Sequence, residues 1–161
     1  MGLYHINNKN MHSNSNYHPE SYWSEVGGRI ASRNDQNVIA GDDEPYYRYK
    51  RNRFLELLNS VDYKDKKVLE IGCGPGGNLN AVYQHKPQEL VGVDISAQMV
   101  ELASSNVPKD VKIHKIDGTT LPFEDQYFDI VFTATVLQHN TDEAMLKKIM
   151  AELSRVAKHH V

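Results

Sequence analysis

From Lys66 to the C-terminus, short apolar runs alternate with segments of helical periodicity. Val68-Leu69-Glu70-Ile71 reads as a strand that runs into Gly72-Cys73-Gly74-Pro75-Gly76-Gly77, and a helix is expected over about 78–85. Leu90 to Asp94 reads as a second strand. Ser96 can cap the helix that follows, on which Met99, Val100 and Ala103 are the spaced apolar positions. Val111 to Ile116 alternates apolar and polar, as a third strand would, and Phe128 to Phe132 is a fourth. Asn140 and Glu143 form an N-cap pair opening a last helix, with Met145, Ile149, Leu153 and Val156 as its core stripe. Strands alternating with helices are the pattern of βαβ units. They build an α/β domain around a mostly parallel sheet covered on both faces.

Ahead of this region the pattern is weaker. The first 18 residues are polar and carry five Asn and three His. Such a stretch buries too little apolar surface to offset its ordering entropy, so it is expected to be flexible. Tyr46 to Asn59 reads as a helix, with Pro45 in its first turn and Tyr47, Arg51, Phe54, Leu55 and Leu58 on one face. The expected division is a flexible N-terminal segment, 1–45, and a ligand-binding domain, 46–161. Tyr17, Tyr22, Trp23, Tyr46 and Tyr47 either form a lid over the pocket or pack ordinarily.

Composition narrows the class. The chain has 161 residues, enough for one domain with a sizeable core. A formal net charge of −3 excludes a generally basic, nucleic-acid-coating protein. The single cysteine, Cys73, rules out an intramolecular disulfide and suits a reducing, cytoplasmic setting. No apolar run is long enough to span a membrane, and Met1 to Asn10 lacks the apolar core of a signal peptide.

Ligands of such sheets bind at the carboxyl ends of the strands. Glycines 72, 74 and 77 satisfy G-x-G-x-x-G, and Asp94 lies 22 residues beyond Gly72. That matches a dinucleotide fingerprint, so a nicotinamide-dependent oxidoreductase must be weighed. Charge logic separates two cofactors. A pyrophosphate at this loop would meet Glu70, and like charges repel. S-adenosylmethionine presents a sulfonium and an ammonium, which a carboxylate at the strand tip suits. Asp94 can accept both ribose hydroxyls in either case. Asp117, at the third strand end, can accept from an adenine amino group, with Ile95 and Met99 packing on the adenine face.

Val68 to Gly77 resembles motif I of class I S-adenosylmethionine-dependent methyltransferases. Val91-Gly92-Val93-Asp94-Ile95-Ser96 resembles their second motif. Asp117 to Phe123, followed by Phe128-Asp129-Ile130-Val131, resembles the third and fourth. The likeness covers about residues 46–157 and is greatest to small-molecule, quinone-biosynthesis-type members, whose fourth motif ends in Leu-x-His, here Leu137-Gln138-His139. It implies a Rossmann-like three-layer sandwich that binds S-adenosylmethionine. It implies that Asp94 holds the ribose, Asp117 the adenine amino group and the Gly72–Gly74 backbone the methionine end. Arg51, with Arg48 second, would hold the ligand carboxylate. Glu70, Cys73, Ile95, Met99, Gly118 and Ala134 complete the expected cofactor set, and no metal is expected. Family members continue past the last helix with three more strands, whereas this sequence stops at Val161. The sheet is therefore expected to be short on the fourth strand's flank, an exposed edge for an oligomer or a complementing chain to cover. His159 and His160 read as an exposed end rather than a metal site.

Transfer from a sulfonium needs positioning and a dry site more than a nucleophile, so Cys73 is read as a small residue fitting its loop. If the acceptor is a hydroxyl, His139 is the best-placed general base; a structural, hydrogen-bonding histidine is the competing reading. Thr133-Ala134-Thr135-Val136 lacks the Pro-Pro-aromatic run of enzymes that methylate DNA amino groups. The expected partner is a small-molecule acceptor, with a protein side chain second and no nucleic acid. A cofactor-binding but catalytically silent partner module is the alternative from a different class.

Overall fold

The computed structural model describes residues 18–32, 46–140 and 142–158. The Asn- and His-rich N-terminus, Tyr17, Pro45, the Tyr47 side chain and the His159-His160 pair lie outside the described residues. The elements run α1 (Pro19–Ala31), α2 (Tyr47–Asn59), β1 (Lys67–Ile71), α3 (Gly77–Tyr83) and β2 (Glu89–Asp94). Then come α4 (Ala97–Asn106), β3 (Lys112–Lys115), β4 (Ile130–Thr133), a 3-10 turn (Leu137–His139) and α5 (Glu143–Val156). The four strands form one parallel sheet in the order β3-β2-β1-β4. Strand order reverses between β1 and β4. That reversal opens a crevice above the carboxyl ends of β1, β2 and β4, where ligands of open α/β sheets bind.

The sheet is covered on both faces because its central strands are apolar on both sides. On one face, Leu69, Ile71, Val91, Val93, Phe128 and Val131 pack against Ile149, Leu153 and Val156 of α5. On the other, Val68, Leu90 and Cys73 pack against Leu58 of α2, Leu79 and Val82 of α3, and Ala103 of α4. Burying each large aliphatic side chain contributes about 1.5–3 kcal/mol. Three of the four expected stripe residues of α5 are buried, and the fourth, Met145, faces the crevice instead.

Three local details differ from the sequence reading. Residues 19–31, inside the segment read as flexible, form a helix packed on α4. Gly27 permits this, because a Cβ there would lie 2.8 Å from Gln98 Cγ. The Ser24 and Ser96 hydroxyls meet at 3.1 Å, and Glu20 pairs with Lys115 at 2.8 Å. Second, Asp142 rather than Asn140 caps α5, its Oδ1 accepting from Ala144 N–H at 2.8 Å and Met145 N–H at 3.2 Å. Asn140 instead closes the 3-10 turn through its backbone N–H. Third, Phe128 lies outside β4 and forms an isolated parallel bridge with Ala157. Its N–H donates to Val156 O at 3.0 Å, and Lys158 N–H donates to Phe128 O at 2.8 Å. The chain thus turns back after α5 alongside the outer flank of β4, which is an edge of the sheet among the described residues. Ser96 caps α4 as the sequence reading expects, accepting from Met99 N–H at 3.2 Å.

Candidate cofactor and acceptor site

Gly72 and Gly74 sit at the carboxyl end of β1, both in the left-handed region at φ +70° and +51°. Their reasons differ. A Cβ on Gly72 would lie 2.1 Å from Val136 Cγ2, so this glycine lets the β4–α5 connection cross the turn. A Cβ on Gly74 would meet nothing within 4 Å, so this glycine faces open space in the crevice.

The turn spends its own donors inside the protein. Gly72 N–H and Cys73 N–H both donate to Val93 O, at 2.8 and 3.0 Å. Gly74 N–H donates to Asp94 Oδ2 at 2.9 Å. Asp94 Oδ1 accepts from Ser96 N–H, also at 2.9 Å. One carboxylate therefore ties the β1–α3 turn to the start of α4. Each carboxylate oxygen has two lone-pair sites, so Asp94 keeps acceptor capacity toward the crevice that it lines. Burial pushes its pKa up, and the backbone N–H groups hold it down.

Glu70 lies beneath this turn and is fully buried. Its Oε1 accepts from Asn78 Nδ2 at 2.6 Å, and its Oε2 has no hydrogen-bond partner. Arg51, reaching from α2, donates to Asn78 Oδ1 and to Gly77 O. Burial is the largest influence on Glu70 and raises its pKa from 4.5 to about 8, against the opposing effects of Asn78 and Arg51. The sign of the stability effect follows. Between those pH values the folded protein holds a proton that the unfolded chain has released, so raising the pH there lowers stability. Below 4.5 both states are protonated, and above 8 both are ionised. The melting temperature of the ligand-free protein is therefore expected to fall from pH 5 to pH 8 more steeply than that of Glu70→Gln. Parallel melting profiles would remove the buried charge from the account.

Of the residues singled out in the sequence, Gly72, Gly74, Asp94, Ile95, Met99, Gly118, Ala134 and His139 line one continuous crevice. Gly118 leaves room for Ile95, whose Cδ1 would stand 2.8 Å from a Cβ at that position. The other four stand outside the lining. Glu70 and Arg51 brace the turn from behind. The Cys73 side chain packs into the apolar cluster against α3, and burial first, then the charges of Glu70 and Asp94, pushes its thiol well up. Asp117 is exposed, and its Oδ1 accepts from the N–H groups of Thr119 and Thr120, both at 2.8 Å; these hold its pKa down.

Among the lid aromatics, Trp23 reaches the crevice, and its ring meets His139 edge-on at 5.0 Å between centroids. Tyr46 is instead exposed to solvent at the start of α2. Asn78 was not a sequence candidate. It is an unremarked residue of a short helix, and only the fold sets it between Arg51 and Glu70. Val136, Asn140, Met145 and Ile149 also line the crevice without any signal in the sequence beyond their helical or loop positions. Among the described residues, no group of three or more His, Cys, Asp or Glu could hold a metal, and no helix is long and apolar enough to cross a membrane.

Comparison with known proteins bears on this crevice. The family described as "Methyltransferase domain" matches residues 68–160. Norajmaline N-methyltransferase of Rauvolfia serpentina is 29% identical over 110 residues, covering 65% of this chain and 37% of that protein. The 2-methyl-6-phytyl-1,4-hydroquinone methyltransferase of Synechocystis is 36% identical over 93 residues, covering 56% and 28%. The crystal structure of YcgJ from Bacillus subtilis superposes with a TM-score of 0.59 at 31% identity, covering 66% and 47%. The chain spans less than half the length of the curated relatives it matches.

Proposed function

The chain belongs to the S-adenosylmethionine-dependent methyltransferase domains, and from that membership we propose that it transfers a methyl group to a small-molecule acceptor. The observation that carries this reading is the turn at Gly72–Gly74. Its N–H donors are satisfied within the protein, one of them by the Asp94 carboxylate, which also lines the crevice. A pyrophosphate needs donors and repels carboxylates. A ligand with an ammonium, a sulfonium and ribose hydroxyls needs acceptors and opposite charge.

The residues present fit that ligand. Gly74 leaves open space, and Asp94 has lone pairs for hydroxyls. Asp94 would hold the ribose, and Ile95 and Met99 would supply the apolar wall for the base. Gly118 and Ala134 would let the ligand approach the backbone. Glu70 and Arg51 would act on the methionine end from behind the turn. Bound S-adenosylmethionine supplies an electrophilic methyl group on a sulfonium, already activated for in-line displacement. The protein's share is orientation and exclusion of water.

His139 would take the proton of a hydroxyl acceptor. Its Nε2 lies 3.3 Å from Gln138 Nε2. The contact is long, and an arriving hydroxyl displaces it at little cost. General-base help of this kind is worth about 10²–10⁴ in rate.

Thermal unfolding with S-adenosylhomocysteine at ~100 times its dissociation constant is expected to show ~2.7 kcal/mol of added stability. For a domain of this size that is a rise of roughly 5–10 °C. NAD is expected to leave the transition in place. Stabilisation by NAD alone would overturn the proposal.

A further inference from the structure

We infer that the side of the crevice between α1 and the β4–α5 connection is a subsite for a flat aromatic acceptor, with Trp23 as the residue that selects it. The inference rests on the methyltransferase reading above and adds the class of acceptor. Trp23 and His139 both line the crevice, with ring centroids 5.0 Å apart and planes at 78°. Tyr22 also meets Trp23 edge-on, at 5.1 Å and 86°. In an edge-on pair, one ring covers a face of the other with its edge and keeps both of its own faces clear of that contact. A third flat ring can extend such a cluster, whereas a saturated ring cannot. Val136, Met145 and Ile149 supply apolar surface around the pair and add no competing charge.

The position of Trp23 is built rather than incidental. Gly27 admits α1 close to Gln98, the Ser24 hydroxyl meets that of Ser96, and Glu20 pairs with Lys115. Ser96 is also the residue whose N–H donates to Asp94. The helix that carries Trp23 is thus anchored on the same turn that carries the proposed ribose acceptor. His139, the proposed base, touches the same indole ring, so a ring bound against Trp23 would hold its hydroxyl beside the imidazole.

The probes are phenol and cyclohexanol, which share a hydroxyl and a six-membered ring and differ in the π face. Each is titrated calorimetrically into protein saturated with S-adenosylhomocysteine. An aromatic pair adds about 2- to 13-fold in affinity. Wild-type protein is expected to prefer phenol by a factor in that range. Trp23→Leu, which keeps apolar bulk, is expected to bring the ratio close to one, and Trp23→Phe to retain most of it. The ratio is insensitive to a general loosening of α1, which would weaken both probes alike. Equal affinities in the wild type, or a preference that survives Trp23→Leu, would overturn the subsite. Failure of S-adenosylhomocysteine itself to bind would overturn the methyltransferase reading, and this inference with it. Binding of that ligand without the phenol preference removes the subsite alone.

Discussion

Asp94→Ala is expected to weaken S-adenosylhomocysteine binding by about 2–4 kcal/mol, or roughly 30- to 700-fold. The carboxylate would lose two charge-assisted hydrogen bonds to ribose hydroxyls, discounted for water taking its place. The sequence alone suggests that the ligand-free protein would hardly notice the change. The structure alters that expectation. Asp94 also accepts from Gly74 N–H and Ser96 N–H, each at 2.9 Å, and its side chain is buried. Losing both leaves two backbone donors short of partners, so about 2 kcal/mol of stability should go as well. Ser96→Ala separates the two effects. It removes the α4 cap from Met99 N–H and the contact with Ser24, costing about 1 kcal/mol of stability, while leaving the Asp94 carboxylate in place. Calorimetric titration of both variants decides the matter. If Asp94→Ala binds as tightly as wild type and only its melting point drops, Asp94 is a structural tie and the ribose role is lost.

Gly72→Ala is expected to be strongly destabilising. The backbone at Gly72 has φ +70°, which costs a residue with a Cβ about 1 kcal/mol or more. The new Cβ would also stand 2.1 Å from Val136 Cγ2, a distance no packing tolerates. Overpacking of that kind adds about 1–3 kcal/mol. The combined loss of roughly 2–5 kcal/mol should lower the melting temperature by about 5–15 °C. Val136→Ala in the same protein should restore the packing part and leave the backbone part. A double variant no more stable than Gly72→Ala would show that Val136 is not the obstruction. Gly74→Ala is the contrast. It carries the same kind of backbone cost at φ +51°, but its Cβ meets nothing within 4 Å. Its larger effect should therefore fall on ligand affinity.

The two glycines illustrate how far local pattern reaches. Their spacing after an apolar strand announces a tight strand-to-helix turn and a ligand near it. It does not say that one glycine makes room for another part of the protein and the other makes room for a ligand. That distinction depends on where Val136 lies, 64 positions further on. The caps show the same limit at short range. Ser96 is the cap its position suggests, because it immediately precedes the helix and no rival stands nearby. Before α5, Asn140 and Asp142 compete, and Asp142 wins because the 3-10 turn over Leu137–His139 takes up Asn140.

What the sequence determined by itself was the strand–helix alternation, the parallel sheet it entails, and the carboxyl-end location of the glycine turn and Asp94. These follow from periodicity and from which side chains can be buried, both written in neighbouring residues. What only the tertiary structure decided was which candidates face the same space. Glu70 and Asp94 both stand at strand ends, yet one is sealed beneath the turn with an unpartnered oxygen while the other opens to the crevice. Arg51 reaches the turn at Asn78 and Gly77 only because α2 packs on α3, and Trp23 meets His139 only because α1 docks on α4. Such contacts join residues far apart in the chain. Their energies depend on distance and burial, and neither exists until the sheet has brought the segments together.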